Sequence, residues 1–212
     1  MKNPYESIEQ QMRDAGWQKY ILGCDEVGRG PLAGPVTAAC VAFPNSLGPD
    51  FELFALLDDS KKLSAKKRDM LVDAIHTHAA AYAVVDISPE EIDRLNILQA
   101  SLEGMKRAAL AVAEQLGATQ TNAHIIIDGN KLIPRWDWAQ TAYVKGDARS
   151  WSIAAASILA KVHRDNLMVE YDAIYPGYGF AKNVGYPTAA HRAALAELGP
   201  TPIHRKSFKV KQ

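Results

Sequence analysis

Apolar runs of strand length alternate along the chain with longer segments of helical periodicity. Five runs rich in Ile, Val, Ala and Tyr predict β-strands at residues 20–24, 37–43, 81–87, 124–127 and 141–145. Helical periodicity predicts helices at residues 64–78, from 88 onward, and at about 98–116, 150–174 and 188–198. Because strands and helices alternate, the sequence predicts an α/β domain with a mixed β-sheet and helices on its faces.

Capping residues support several of these helices. Ser64 and Ser88 are suitable N-caps, and Pro89 stands at the first helical position, where proline is favoured. Gly117 is a suitable stop for the helix that begins near Leu98. The segment 150–174 carries many small side chains, so we expect it to pack closely against its neighbours.

The composition narrows the class of protein. Of the 212 residues 48% are hydrophobic and 23% are charged, which argues against disorder. No apolar run approaches the length of a membrane span, and the polar residues 1–19 do not resemble a signal peptide. Cys24 and Cys40 lie in apolar segments, which predicts free buried thiols in a reducing compartment. We therefore expect an N-terminal polar segment, 1–19, and a single cytoplasmic domain, 20–212.

The net charge is zero, but its distribution is uneven. Residues 145–212 contain ten Lys or Arg and five Asp or Glu, a net charge of +5, so residues 1–144 carry −5. A second basic cluster lies inside the acidic part and comprises Lys61, Lys62, Lys66, Lys67 and Arg68. Uneven charge permits a face that binds a polyanion, although a solvated helix surface is the simpler interpretation of any single lysine run.

Carboxylates follow three of the predicted strands. Asp25 and Glu26 come after the first, Asp128 after the fourth and Asp147 after the fifth. Strand ends are where α/β proteins gather reactive groups from distant parts of the chain. Four clustered carboxylates would repel one another unless cations neutralised them, and hard oxygen ligands suit Mg²⁺ or Mn²⁺. Two such ions about 3.5–4 Å apart commonly catalyse phosphodiester cleavage, although each acid alone could simply cap a loop.

Other kinds of site are poorly supported. Gly28, Gly30 and Gly34 suggest a dinucleotide fingerprint, but the third glycine is one place late, and Pro31 and Pro35 obstruct the helix that should follow. The chain has no Gly-Lys-Ser/Thr phosphate loop. Its histidines lack the spacing of a metal-binding pair, and we interpret them as structural or surface residues.

Seven blocks of sequence resemble, in order, those of bacterial ribonuclease HII, a type 2 ribonuclease H. The first block, residues 23–36, reads GCDEVGRGPLAGPV and is the most specific. The others lie at residues 59–64, 91–98, 127–130, 144–147, 154–165 and 178–188. The resemblance implies a ribonuclease H-like mixed sheet flanked by helices, with a C-terminal extension of helices and loops.

The resemblance assigns the metal-binding and catalytic role to four acids: Asp25, Glu26, Asp128 and Asp147. These are the acids selected above from the strand ends. Asp165 also lies in a matching block, but it is mid-helix, and we interpret it as a structural ion pair or cap. The implied cofactor is Mg²⁺ or Mn²⁺ in a two-metal mechanism.

Substrate contacts are implied for eight residues: Gly28, Arg29, Gly30, Lys61, Lys62, Ser157, Lys161 and Tyr186. The Gly-Arg-Gly segment matches the sensor of the ribose 2′-hydroxyl, where glycines let main-chain groups approach a ligand closely. Tyr186 matches the tyrosine that stacks on the sugar at the RNA-to-DNA junction. The three lysines and Ser157 are implied to contact phosphates, although Ser157 could simply be a small packing residue.

The implied activity is hydrolysis of the RNA strand of RNA/DNA hybrids and incision 5′ of single ribonucleotides in duplex DNA, leaving 3′-hydroxyl and 5′-phosphate ends. Such an enzyme would serve ribonucleotide excision, DNA repair and DNA replication. Two alternatives remain open: another nuclease of ribonuclease H fold that cuts DNA regardless of the 2′-hydroxyl, and a non-catalytic hybrid-binding module. No apolar helix face is left over for a dimer, so we expect a monomer.

Overall fold

A five-stranded mixed β-sheet lies at the centre of the molecule. The computed structural model describes residues 7–17, 19–47, 52–57 and 65–208. The strands are β1 (Tyr20–Val27), β2 (Val36–Ala42), β3 (Ala81–Ile87), β4 (Ala123–Asp128) and β5 (Ala139–Tyr143), in the spatial order β3-β2-β1-β4-β5. β2 is antiparallel to both of its neighbours, whereas β1, β4 and β5 are parallel to one another. The C-terminal ends of β1, β4 and β5 therefore meet at one end of the sheet.

Eight α-helices accompany the sheet within the described ranges: α1 (Ile8–Asp14), α2 (Glu52–Leu57), α3 (Ala65–His78), α4 (Pro89–Leu95), α5 (Ile97–Leu116), α6 (Trp151–Ile174), α7 (Phe180–Asn183) and α8 (Ala189–Leu198). Helices α5 and α6 cover opposite faces of the sheet. The predicted mixed α/β class is confirmed.

Capping explains where the helices begin and end. Ser88 accepts a hydrogen bond from the Glu91 N–H at the start of α4, and Ser150 does the same for Ile153 in α6. Gly117 ends α5 in the left-handed conformation, with φ of 60°. The cap predicted at Ser64 lies outside the described residues.

Helix α6 packs against β1 at unusually short range. The main chain of Gly23 approaches α6 so closely that an added Cβ would lie 2.5 Å from the Ile153 nitrogen. Small α6 side chains, among them Ala155 and Ala156, are buried against Ala39 of β2. The expected close packing of this helix is confirmed, and it places the first turns of α6 directly beside the end of β1.

Both cysteines are buried free thiols, as predicted. They lie opposite each other on β1 and β2, inside the core under α5. None of the helices in the described ranges is both long and apolar enough to cross a membrane.

Two differences from the predicted elements are informative. β1 continues through Asp25 and Glu26 to Val27, so these acids are part of the strand. Helices α2 and α7 have only six and four residues, too few to show helical periodicity in the sequence.

Candidate active site

Two of the candidate acids lie side by side on adjacent parallel strands. Cys24 of β1 is paired with Ile127 of β4, so the next residues along both strands, Asp25 and Asp128, are neighbours. Asp147 lies in a short 3₁₀ helix, Gly146–Ala148, that follows β5. The structure therefore brings the predicted acids to the same end of the sheet.

Asp25 points toward α6 and is almost fully buried. Its carboxylate accepts a hydrogen bond from the side chain of Ser157 on α6 and another from the Glu26 N–H at 2.7 Å. Burial raises the pKa of Asp25 well above its ordinary value, and the negative charges of Glu26 and Asp128 raise it further. An ionised Asp25 is therefore electrostatically unfavourable without a cation nearby.

Glu26 points to the opposite face of the sheet, because successive residues of a strand alternate. It lines a cavity of about 190 Å³ together with Asp128 and with Ser101 and Met105 of α5. Burial raises the pKa of Glu26, although the Arg29 guanidinium, 3.1 Å from its carboxylate, acts in the opposite direction.

Asp128 holds the turn that carries Asp147. The Gly146 N–H donates to Asp128 Oδ1 at 2.7 Å, and the Ser150 N–H donates to the Gly146 carbonyl at 2.8 Å. An added Cβ on Gly146 would lie 2.7 Å from the Ile153 side chain, so the turn packs directly on α6. The position of Asp147 thus depends on both β4 and α6.

A buried glutamate of α1 fastens the residues that follow this turn. Glu9 accepts hydrogen bonds from the hydroxyls of Ser150 and Ser152 and from the Ser152 N–H, the last at 2.9 Å. The Ile8 N–H donates to the Arg149 carbonyl at 3.0 Å. α1 therefore helps to place the start of α6, a role that the polar character of residues 1–19 did not indicate.

The donor set has the chemistry of a site for a hard divalent cation. Carboxylate oxygens are the ligands that Mg²⁺ and Mn²⁺ prefer, and a cation would offset the burial and the negative charges of Glu26 and Asp128, which together raise the pKa of Asp25. Across the part of the chain that the structure describes, no three His, Cys, Asp or Glu side chains are grouped so as to hold a metal ion by themselves. Asp25 and Glu26 lie on opposite faces of β1, and Glu26 is paired with Arg29.

The segment 28–35, called here the reading loop, follows directly on β1 and is held by two buried arginines. Arg205 donates to the carbonyls of Gly28, Arg29, Gly34 and Pro35, at 2.6 to 3.1 Å. Arg164 donates to the carbonyls of Pro35, Ala33 and Val184, at 3.0 to 3.2 Å. Since hydrogen bonds from a charged donor are the strong ones, the two guanidinium groups fix the main chain of this loop.

Tyr186 lies against the reading loop. An added Cβ on Gly30 would be 3.3 Å from the Tyr186 ring, and the Leu32 N–H donates to the Gly185 carbonyl at 2.8 Å. The tyrosine is 43% exposed, so one side of the ring remains accessible. The Gly-Arg-Gly segment and Tyr186, both implied by the resemblance to contact substrate, are thus neighbours in space.

The predicted phosphate contacts have different environments. Ser157 donates a hydrogen bond to the Asp25 carboxylate, so it helps to hold this acid in place. Lys161 forms an ion pair with Asp165 at 2.7 Å, which confirms the interpretation of Asp165 as a structural partner. Lys61 and Lys62 lie outside the described residues.

Sequence reasoning missed three residues that hold this site in place: Glu9, Arg164 and Arg205. Each forms hydrogen bonds across a long sequence separation, for example 141 residues between Glu9 and Ser150 and 177 residues between Arg205 and Gly28. No local sequence pattern distinguishes these residues from surface residues, because their partners lie far away along the chain.

Comparison with known proteins points to one family. A family model described as Ribonuclease HII matches residues 22–211. Ribonuclease HII of Francisella tularensis subsp. novicida (strain U112) is 50% identical over 189 residues, covering 89% of this chain and 96% of the relative. The RNase HII in its complex with PCNA from Archaeoglobus fulgidus superposes with a TM-score of 0.70 at 25% identity, covering 91% and 96% of the two chains. Bst-RNase HIII in complex with Mn²⁺ shares the fold, with a TM-score of 0.70 at 20% identity over 90% of this chain and 67% of that one.

Proposed function

The chain belongs to the ribonuclease HII family and is a ribonuclease H enzyme, and we propose that it both cuts the RNA strand of RNA/DNA hybrids and nicks duplex DNA 5′ of a single embedded ribonucleotide. The products would be 3′-hydroxyl and 5′-phosphate ends. One observation carries this proposal: the reading loop begins two residues after Glu26, so the segment that would sense the ribose and the four candidate acids lie at the same end of the sheet.

Four acids would hold Mg²⁺ or Mn²⁺: Asp25, Glu26, Asp128 and Asp147. The Mn²⁺ bound to Bst-RNase HIII, which has the same fold, supports this part of the proposal. Two bound ions would act as Lewis acids, lowering the pKa of the attacking water and stabilising the 3′ oxygen that leaves. Asp25 would lie centrally among the ligands, with the Ser157 hydrogen bond orienting its carboxylate.

The reading loop would recognise the ribose through its main chain. A 2′-hydroxyl can donate and accept a hydrogen bond, and it alone distinguishes RNA from DNA at a given nucleotide. Because two arginines fix the loop carbonyls, the loop would meet the sugar already ordered, without a cost of ordering at the time of binding. Tyr186 would stack on the neighbouring sugar.

The test uses a labelled DNA duplex containing one ribonucleotide, with the matched all-DNA duplex and an RNA/DNA hybrid beside it. We expect a nick 5′ of the ribonucleotide and cleavage of the hybrid, each in Mg²⁺ or Mn²⁺ and neither in EDTA. Cleavage of the all-DNA duplex would instead support a nuclease that ignores the 2′-hydroxyl. Hybrid binding without cleavage in either metal would support a non-catalytic binding module.

Tyr186→Ala should reduce incision at a single ribonucleotide more than cleavage of a long hybrid. A long hybrid offers many registers, whereas an isolated ribonucleotide must be read in one. Stacking of a base on an aromatic ring is worth about 1–3 kcal/mol, and we expect the contact of Tyr186 with the sugar to fall in that range. We expect kcat/KM to fall about ten- to hundredfold on the isolated ribonucleotide, and much less on the hybrid. Tyr186→Phe, which keeps the ring, is the matched control. Equal losses by Tyr186→Ala on the two substrates would contradict the reading role.

We further infer that the enzyme acts as a cytoplasmic monomer in replication and ribonucleotide repair. The complex between an archaeal RNase HII and PCNA supports a link to the replication machinery. Size-exclusion chromatography with light scattering measures the oligomeric state directly.

A further inference from the structure

Two buried histidines lie behind Tyr186. His191 belongs to α8, and His204 lies after it, where its main chain forms an antiparallel bridge with Ala33 of the reading loop. The Nε2 atoms of the two rings are 3.1 Å apart. His191 Nδ1 is 2.9 Å from the Tyr186 carbonyl oxygen. His204 is therefore linked to the reading loop through its main chain, and its side chain is linked to Tyr186 by way of His191.

The outer hydrogen-bond partners of the two rings, Thr201 and Tyr186, allow only one arrangement of protons on the ring nitrogens. The Thr201 N–H donates to His204 Nδ1 at 2.9 Å, so this nitrogen carries no proton and His204 is protonated on Nε2. At the other end, the Tyr186 carbonyl can only accept, so His191 must be protonated on Nδ1. The bond between the rings then runs from His204 Nε2–H to His191 Nε2, and both rings are neutral.

The surroundings make an alternative arrangement unfavourable. The rings of Tyr178 and Phe180 flank both histidines, with centroids 5.3 to 6.4 Å from theirs. His191 is completely buried and His204 is 6% exposed. In such a setting an unpaired ring nitrogen loses its hydration without compensation. Burial and the neighbouring imidazole lower the pKa of His204 to about 4, in agreement with a neutral ring.

We propose that His191 and His204 are positioning residues that hold the Tyr186 loop in place for ribose recognition, through a chain of hydrogen bonds in which each ring has one tautomer. This inference rests on the proposed function, since it assigns a purpose to Tyr186. His204 does not touch Tyr186. It acts by donating to His191 Nε2, because without this donor the second nitrogen of the buried His191 ring would have no hydrogen-bond partner and the ring would no longer be held against the Tyr186 carbonyl.

The first experiment determines the tautomers by ¹⁵N NMR of histidine side chains in the intact protein at neutral pH. We expect His191 as the Nδ1–H form and His204 as the Nε2–H form. In His204→Leu, His191 should keep its Nδ1–H, but its Nε2 signal should move toward that of an imidazole nitrogen that accepts no hydrogen bond. The proposal is overturned if wild-type His191 carries its proton on Nε2, or if His204→Leu leaves the Nε2 signal of His191 unchanged.

The second experiment compares cleavage of a single-ribonucleotide duplex with cleavage of a long hybrid. One buried hydrogen bond is worth roughly 1 kcal/mol. His204→Leu and His191→Phe should therefore each lower the ratio of kcat/KM on the single-ribonucleotide duplex to kcat/KM on the long hybrid about five- to tenfold. His191→Asn and His204→Gln keep a donor near Nδ1 and Nε2, respectively, and should largely restore the ratio. His76→Leu, in which a histidine that stacks on Tyr82 is removed from α3, is the matched control.

The ratio separates positioning from a general loss of folded protein. Destabilisation alone would lower both activities equally and leave the ratio unchanged, and that outcome would overturn the proposal. A wild-type enzyme inactive on both substrates would instead contradict the proposed function, whereas the NMR result would still show whether the hydrogen-bond chain exists.

Discussion

Asp25→Asn is expected to lower cleavage of every substrate by at least about a thousandfold while leaving hybrid binding nearly unchanged. Asn keeps the shape of the side chain and can still contact Ser157, but it lacks the negative charge that a divalent cation requires. Binding should persist because most of its free energy would come from phosphate contacts elsewhere on the protein. Single-turnover cleavage and fluorescence anisotropy with a labelled hybrid measure the two effects separately.

The same substitution should stabilise the metal-free protein. The pKa of Asp25 is raised in the folded protein, so ionisation destabilises the folded state as the pH rises above the unfolded value of about 3.9. This destabilisation is complete once the pH exceeds the folded pKa. Because Asn does not ionise, Asp25→Asn should unfold at a higher temperature than the wild type in EDTA at neutral pH, and the difference should shrink in acid.

Asp165→Asn is the matched control for both measurements. Asp165 is also an acid and lies on α6, the helix that packs beside Asp25, but it is in the middle of the helix, partly exposed and paired with Lys161. We expect its replacement to leave cleavage within about threefold of wild type, since exposed ion pairs are worth at most about 1 kcal/mol. If Asp25→Asn cleaved its substrates at the wild-type rate, the assignment of the reaction to these acids would be wrong.

The acids could be selected from the sequence because each accompanies an apolar strand, and parallel strands bring their ends together. Which face each acid occupies was not predicted, because β1 was expected to end at Cys24. Once Asp25 and Glu26 are known to lie inside β1, alternation along the strand places them on opposite faces, toward α6 and α5.

The supporting residues could not be found from local patterns. His191 and His204 look like isolated histidines in the sequence, and their contact depends on the chain returning from α8 to Ala33 of the reading loop. Arg164 and Arg205 lie in segments where a basic residue would normally be assigned to the surface, yet both are buried and bond main-chain carbonyls. Periodicity predicts which elements form, whereas these contacts depend on how distant elements pack.

The glycines of the reading loop show the same distinction between local conformation and packing. Gly28 has φ of 91°, a conformation that residues with a side chain rarely adopt. An added Cβ there would lie 2.2 Å from Arg164 Nε and 2.9 Å from the Pro35 carbonyl. Gly30 is not in the positive-φ region, and its nearest neighbour would be the Tyr186 ring at 3.3 Å.

Gly28→Ala should therefore be the most damaging single-methyl substitution in the loop. Backbone strain of roughly 1–3 kcal/mol and a clash with a buried arginine that cannot move freely should together lower the free energy of unfolding by roughly 3 kcal/mol. We expect kcat/KM to fall on the hybrid and on the single-ribonucleotide duplex alike, because the loop that follows Glu26 is displaced. Denaturant unfolding and cleavage assays on both substrates provide the two measurements.

Gly30→Ala and Gly117→Ala separate the contributions of backbone strain and steric clash to the loss of stability and activity expected for Gly28→Ala. Gly117 has φ of 60° with nothing within 4 Å of an added Cβ, so Gly117→Ala should cost about 1 kcal/mol of stability from strain alone and leave cleavage unchanged. Gly30→Ala should change stability by less than about 0.5 kcal/mol, since the exposed Tyr186 ring can shift by a few tenths of an ångström. It should nevertheless impair incision at a single ribonucleotide, because the added methyl group would occupy space between the two elements that read the sugar. If Gly30→Ala cleaved both substrates like the wild type, the gap between Gly30 and Tyr186 would have no part in recognising the ribose.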